Sequence, residues 1–331
     1  MSRLEELFEA NEYGKYYLKS INDCKEKLKE LIQRNTPLFN FTDHGIKHSD
    51  RINERIYKLF CDMLQNKDRD IKLNNSELYS LILAIYLHDI GMELINKKKV
   101  IGLFTEKKYK NKFLLLLSSL ISVEEIGKID ENSADFYDFI RNKHHIISAM
   151  WIMKNNVVGD VLKLPIIDDY LSTVALICFA HNEDLSILDN EFYNNGQADE
   201  CQIQVKILAY LLRVGDSLDA DKRRCNIDIL EVKDIEVISR VHWYRHFYTK
   251  SIICDNKIVK ILFEFPEGDR WLENIQDFFM RETVYWISKN YNDIIENKIF
   301  EGNKRNNFLT YTIEEKVDFG IKKLWIMKQK K

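Results

Sequence analysis

Proline is nearly missing from this sequence: Pro37, Pro165 and Pro266 are the only three in 331 residues, and glycine is held to eleven. A turn-rich β-sandwich needs far more of both, so their scarcity favours long helices. The cysteines (Cys24, Cys61, Cys178, Cys201, Cys225, Cys254) never form a Cys-x-x-Cys pair. That excludes a zinc ribbon and a disulfide scaffold, and it fits a reducing cytoplasm. No apolar run is long enough to span a bilayer. The most apolar one, Phe113 to Val123, contains adjacent serines and reads as a buried helix. Charge of one sign is not in excess either. A formal charge of −3 predicts no broad attraction to nucleic acid or to an anionic membrane. The opening residues lack the basic region and apolar core of a signal peptide, so a cytoplasmic protein is expected. Internal repeats and low-complexity segments are absent too.

What is present is ordinary globular composition, 45% apolar and 31% charged, ordered mostly at helical spacing. Residues 3–34 place Leu4, Leu7, Phe8, Tyr17, Leu18, Ile21, Leu28, Leu31 and Ile32 on one face, which predicts one or two amphipathic helices. A second stripe (Ile52, Ile56, Leu59, Phe60, Met63) begins close to His48. Leu78–Ile90 is apolar nearly all round and reads as a central core helix, with Gly91 as its stop. Further helices are expected at about 108–127, 134–155, 167–182 and 200–216, with 186–199 as a polar surface loop. Residues 228–265 are rich in Ile, Val, Tyr, Phe and Trp, and Asp255-Asn256-Lys257 looks like a turn between two strands. A small antiparallel β element is expected there. Helix should resume from Trp271 to Phe300, and a basic tail should end the chain.

Chemistry is concentrated in five short islands: His44-Gly-Ile-Lys-His48, His88-Asp89, His144-His145, His181 and Asp216. Six of the eight histidines lie in them. Imidazole and carboxylate together suit a divalent metal that polarises phosphate oxygens and activates water. An Asp at the end of an apolar run needs a cation or several donors, because an unpartnered buried carboxylate is costly. This applies to Asp89 after Leu81–Leu87 and to Asp216 after Ile207–Val214. Gly45 argues against helix at His44, so His48 is placed at a helix start and His44 in the loop before it. His44 is equally readable as a capping residue. His145 reads as a surface neighbour of Lys143, Asp219 and Asp221 as solvated ion-pair partners, and His242 and His246 as structural residues of the β region.

The order and spacing of these islands resemble the HD superfamily of metal-dependent phosphohydrolases: a His opening a helix, an adjacent His-Asp about 40 residues on, intervening histidines, then an Asp closing a helix. The likeness covers about residues 40–225. It implies an all-α bundle whose core metal ligands are His48, His88, Asp89 and Asp216. His144 with Ser148 resembles the His-x-x-x-Ser element of deoxynucleotide triphosphohydrolases, although His145 stands where those enzymes carry Glu. The Pro-Phe-x-His stretch that follows their His-Asp is replaced by Gly91-Met-Glu-Leu-Ile. His144 and His181 occupy about the places that binuclear HD phosphodiesterases use for a second metal, with His181-Asn182 instead of the usual His pair. The phrases Thr42-Asp-His44-Gly-x-x-His48-Ser and Leu87-His88-Asp89-Ile-Gly-Met most resemble a bacterial HD subgroup often found beside heat-shock-type ATPase domains.

The fold class implied is mainly α, an HD-type helical bundle with a small antiparallel β element and C-terminal helices. It divides into an N-terminal helical extension (1–37), the metal-binding bundle (38–226) and a β element plus helices packed on it (227–331). The activity implied is metal-dependent hydrolysis of a nucleotide-type phosphoester, with Mn²⁺, Mg²⁺, Fe²⁺ or a similar ion. His144 or His181 would serve as general acid or as ligands to a second ion. Developing phosphoryl charge needs cations, for which Arg141 and Arg213 are the two candidates. The expected partner is a nucleotide or nucleotide-derived small molecule, and not a membrane. A non-catalytic nucleotide- or metal-binding regulatory module is the alternative. A single-strand nuclease is the second alternative, less favoured because no aromatic-plus-basic stripe accompanies the near-neutral charge. The aromatic residues of 226–331 fit packing against the bundle or against a second copy in a homo-oligomer.

Overall fold

The computed structural model describes residues 2–8, 11–34, 44–65, 73–93, 96–105, 109–154, 164–194, 196–198, 201–225, 237–255, 258–265, 285, 309–315 and 321–329. The fold is mainly α. In chain order the helices are α1 (Glu12–Arg34), α2 (Ile46–Gln65), α3 (Asn75–Leu87), α4 (Ile90–Glu93), α5 (Lys97–Phe104), α6 (Lys112–Ser119), α7 (Val123–Lys128), α8 (Ala134–Met153) and α9 (Leu171–Ala180). A two-stranded hairpin follows, β1 (Gly196–Ala198) with β2 (Cys201–Ile203), then α10 (Val205–Leu218) and α11 (Val237–Tyr248). Four strands close the chain: β3 (Thr249–Asp255), β4 (Ile258–Phe265), β5 (Leu309–Glu315) and β6 (Ile321–Gln329). The chain divides into two compact units. The first comprises Met1–Leu38, His44–Asp50 and Leu73–Leu212, the second Phe39–Asp43, Arg51–Lys72 and Arg213–Lys331.

In the first unit α3 is the central rod. Asn74 caps it in a reciprocal box: its side chain accepts from the Glu77 N–H while the Glu77 carboxylate accepts from the Asn74 N–H. Every residue from Ser76 to Leu87 is buried, as an all-round apolar helix requires. A stack of Tyr17, Tyr79 and Tyr170 joins α1, α3 and the turn before α9. Their hydroxyls are satisfied internally: Tyr170 donates to Ser76 Oγ at 2.7 Å, and Tyr79 shares a 2.7 Å bond with Ser20. This matters because a buried phenol without a partner costs about 1–3 kcal/mol. Helices α8 and α9 are almost wholly buried along their facing sides, and their apolar stretches Ile146–Ile152 and Val174–Ala180 complete the core.

The second unit contains the four-stranded antiparallel sheet, in the order β3-β4-β6-β5. Strands β3 and β4 pair as the expected hairpin, with Asp255 opposite Ile258; Asn256 and Lys257 lie outside the described residues. Four expectations are corrected. The β region begins later than expected, since α11 occupies 237–248 and carries His242 and His246; the aromatic and β-branched content of this stretch misled the strand reading. The basic tail is strand β6, paired on both sides; alternation of Lys with Ile, Leu and Trp is a strand pattern as well as a tail composition. The helix expected at 108–127 is two short ones, because Ser122 caps a new start at Val123. The loop 186–199 contains two 3-10 turns and β1, with Leu188 and Tyr193 buried. The helix expected at Trp271–Phe300 lies almost wholly outside the described residues.

Candidate metal centre

The buried run of α3 ends at Leu87, and His88 and Asp89 form a turn before α4 begins at Ile90. Ser148 of α8 holds this break. Its hydroxyl donates to the His88 carbonyl at 2.7 Å and accepts from the Gly91 N–H at 2.8 Å. Both backbone groups would otherwise be buried and unpaired. Gly91 does not stop a helix, contrary to expectation. It lies inside α4, and a Cβ there would collide with the His144 carbonyl.

Around Asp89 the imidazoles divide into two sets, one for each carboxylate oxygen. Oδ2 faces His44 Nδ1 at 2.6 Å, His88 Nε2 at 3.2 Å and His48 Nε2 at 3.4 Å. Oδ1 faces His144 Nε2 at 3.2 Å and His181 Nε2 at 3.6 Å. The two Nε2 atoms of His48 and His88 are 3.3 Å apart, those of His144 and His181 3.0 Å. Two triads, His44–His48–Asp89 and His88–Asp89–His181, offer ligand atoms that all lie within 4.8 Å of one another. His48, His88, Asp89, His144 and His181 are buried, and His44 is half-buried in the turn before α2.

Hydrogen bonding on the far side of the rings decides what the near side can do. His88 Nδ1 bonds the Ile85 carbonyl at 2.9 Å, His144 Nδ1 the Arg141 carbonyl at 2.7 Å, and His181 Nδ1 the Cys178 carbonyl at 2.5 Å. A carbonyl only accepts, so each Nδ1 carries a proton and Nε2 is the ring atom turned inward. All three rings reach back three residues along their own helices. Outer hydrogen bonds of this kind orient histidine for ligation. Two Nε2 atoms 3.0 Å apart beside a carboxylate oxygen are held together by a proton between them or by a cation. The donor set therefore fits a metal, and its mixture of imidazole and carboxylate suits a first-row divalent ion.

Electrostatics agree. Burial opposes the charge on Asp89, but His88, His44, His144 and His181 around it outweigh burial and hold its carboxyl well below the usual carboxylate range. Burial pushes His181 down to about 3 and His145 to about 4, so both rings are neutral. Neutral imidazole is the form that ligates.

His145 is not a surface residue. It is buried against Phe179, with ring centroids 6.0 Å apart, and its Nε2–H donates to Glu183 Oε1 at 2.8 Å. It is thus the opposite tautomer from its three neighbours. Glu183 was not anticipated, because an acid two residues past His181 has no sequence mark that separates it from any surface glutamate.

Arg141 is half-buried one turn before His144, with its guanidinium 3.6 Å from Asp138. Asp216 and Arg213 belong to the second unit, on the last turns of α10. Within that unit α10 runs so close to α2 that a Cβ on Gly215 would stand 2.6 Å from Ile56 Cγ1 and 2.9 Å from Ile52 Cγ2. Arg224 lies 3.7 Å from the Asp216 carboxylate. Asp219 and Asp221, expected to be solvated, are buried: Arg51 Nε bonds both oxygens of Asp219 at 2.8 and 2.9 Å, and Arg55 pairs with Asp221 at 2.5 Å.

A family model described as HD-CE matches residues 38–286, well over half of the chain. The chain belongs to the HD-CE family. The matched region is accordingly an HD-type domain, and the His88-Asp89 pair lies within it. No curated protein and no solved structure matches the chain. Among the described residues of this HD-CE chain, no single helix is long and apolar enough to cross a membrane.

Proposed function

We propose that this HD-CE protein is a metal-dependent hydrolase of nucleotide-type phosphoesters, a nucleotide phosphohydrolase or phosphodiesterase. The observation that carries the reading is the inward convergence of imidazole Nε2 atoms on both oxygens of one buried carboxylate. His48, His88, Asp89 and Asp216 would hold one ion, with His44 beside them. His144, His181 and the second oxygen of Asp89 would hold another. Imidazole-rich sets favour Mn²⁺ or Fe²⁺ over Mg²⁺.

When bound, such an ion supplies Lewis acidity to a phosphoryl oxygen and acidity to water near neutral pH. The chain's own residues do the rest. Asp89 spans the two donor sets and keeps its charge. The backbone carbonyls of Ile85, Arg141 and Cys178 fix ring orientation. Arg141 and Arg213 are the cations offered to the charge that develops on the phosphoryl group. If one ion alone binds, His144 is the candidate to hand a proton to the leaving oxygen, because burial keeps His181 neutral. A reducing, cytoplasmic setting is part of the proposal. It is supported by the free thiols of Cys24, Cys178 and Cys225, of which Cys24 and Cys178 are buried and pushed up by desolvation.

The test offers the full chain with Mn²⁺ to deoxynucleoside triphosphates, cyclic nucleotides, guanosine tetraphosphate and single-stranded DNA, beside Asp89→Ala. Turnover of a nucleotide that chelation removes, Mn²⁺ restores and Asp89→Ala abolishes is the expected outcome. Turnover indifferent to Asp89→Ala ends the metal mechanism. Saturable nucleotide binding without product favours the regulatory module, and cleavage of the DNA alone favours the nuclease.

A further inference from the structure

The hydrogen bond between His145 and Glu183 joins two backbones that matter for another reason. His145 follows His144 directly on α8, and Glu183 stands two residues past His181 at the end of α9. Nothing else in the reading of the centre uses either residue. Glu183 accepts the Nε2–H of His145 at 2.8 Å, and the buried Nδ1 of His145 has no hydrogen-bond partner among the described residues. That single bond therefore sets the tautomer and, with the face of Phe179, the seat of the ring. The Glu183 carboxyl is held below its ordinary range by this bond, against partial burial. It is a charge-assisted bond, stronger than a neutral one.

The Nε2 atoms of His144 and His181 stand 3.0 Å apart, one carried by α8 and the other by the end of α9. The bond between the neighbouring residues ties the same two backbones together.

We propose that His145 and Glu183 are positioning residues for a second metal ion, a latch that keeps His144 and His181 in loaded geometry before the ion arrives. The inference rests on the preceding reading that these two histidines ligate an ion. Glu183 is not itself a ligand here, since its carboxylate is engaged with His145. The latch acts by preorganisation: with it in place, binding of the ion does not have to draw two strands of backbone together. Outer-shell partners of metal ligands typically change affinity by about 10–100-fold.

The experiment titrates the metal-free full-length chain with Mn²⁺ alone, counting bound ions by calorimetry. The spin-coupled signal of a manganese pair is followed by electron paramagnetic resonance. Wild type should take up two ions and show the pair signal. Glu183→Ala, at a half-exposed site that tolerates truncation, should bind the first ion unchanged and the second about 10–100-fold more weakly. The pair signal should then vanish at equal Mn²⁺. Glu183→Gln should restore both, because its amide oxygen accepts the same hydrogen bond. His145→Phe should mimic Glu183→Ala while keeping a ring on Phe179. A Glu183→Ala variant that binds both ions as wild type does overturns the latch. So does a wild type that saturates at one ion, which leaves the hydrolase reading standing. A wild type that binds no Mn²⁺ brings down the hydrolase reading as well.

Discussion

Gly91 has no side chain because the carbonyl of His144 fills the place where a Cβ would stand. The short helix after the His-Asp turn is thereby pressed on the turn of α8 that presents a candidate ligand. Gly91→Ala must separate the two or force the local backbone. It should destabilise the protein by roughly 1–3 kcal/mol, as overpacking of a tight core does. It should also weaken Mn²⁺ binding, since His144 moves with its carbonyl. Thermal unfolding together with a Mn²⁺ titration checks this; unchanged values for both would mean the backbone yields without effort.

Ser148 bridges the break in the helix that ends at Leu87. Ser148→Ala leaves the His88 carbonyl and the Gly91 N–H unpaired in the core. A loss of about 1–3 kcal/mol per orphaned group is expected. Ser148→Thr keeps the hydroxyl and should recover part of it. Urea midpoints of the three proteins decide the matter.

Acid should destabilise the metal-free fold earlier than carboxylate titration alone would. Burial pushes His145 to about 4 and His181 to about 3, and it holds His246 well below its ordinary value. An unfolded histidine binds its proton near pH 6.5. Each of these groups therefore contributes stability that is complete above about 6.5 and is lost as pH falls below it, because the unfolded chain takes up protons that the native one refuses. Melting temperature measured from pH 7.5 to 5 with chelator should fall. His246→Gln should flatten part of the slope. A flat wild-type profile would contradict the buried neutral state.

Buried charge in the second unit should matter where surface charge does not. Arg55 pairs with Asp221 at 2.5 Å and donates to the Ile252 carbonyl at 2.7 Å. Arg55→Ala takes one of two arginine partners from the buried Asp221, leaving Arg223, and removes the donor to the Ile252 carbonyl, so it should cost about 1.5–3 kcal/mol. Lys128→Ala, which removes an exposed partner of Glu124, should stay within about 0.5 kcal/mol. Comparable losses for the two would show that burial is not what gives the Arg55 pair its weight.

Much of the centre was legible before any coordinates. Asp89 follows a run of apolar residues, and a carboxylate in that position calls for a cation. His88 stands beside it at the end of a core helix. The helix start at His48 and the loop placement of His44 followed from Gly45. His145 was misread because Lys143 next to it suggested solvent, while its burial depends on Phe179, thirty-four positions along. Asp219 and Asp221 were misread for the same kind of reason, since Arg51 and Arg55 are remote in sequence. His242 and His246 went to a strand because aromatic content is shared between strands and half-buried helices.

Sequence alone determined the helical periods and the residue types able to bind an ion, because these depend on neighbours within a few positions. Tertiary structure alone decided which rings turn Nε2 inward, that Asp89 presents a separate oxygen to each histidine set, and that Glu183 accepts the hydrogen bond of His145. Those outcomes depend on distances between chain segments tens of residues apart, and close packing sets such distances to a few tenths of an ångström.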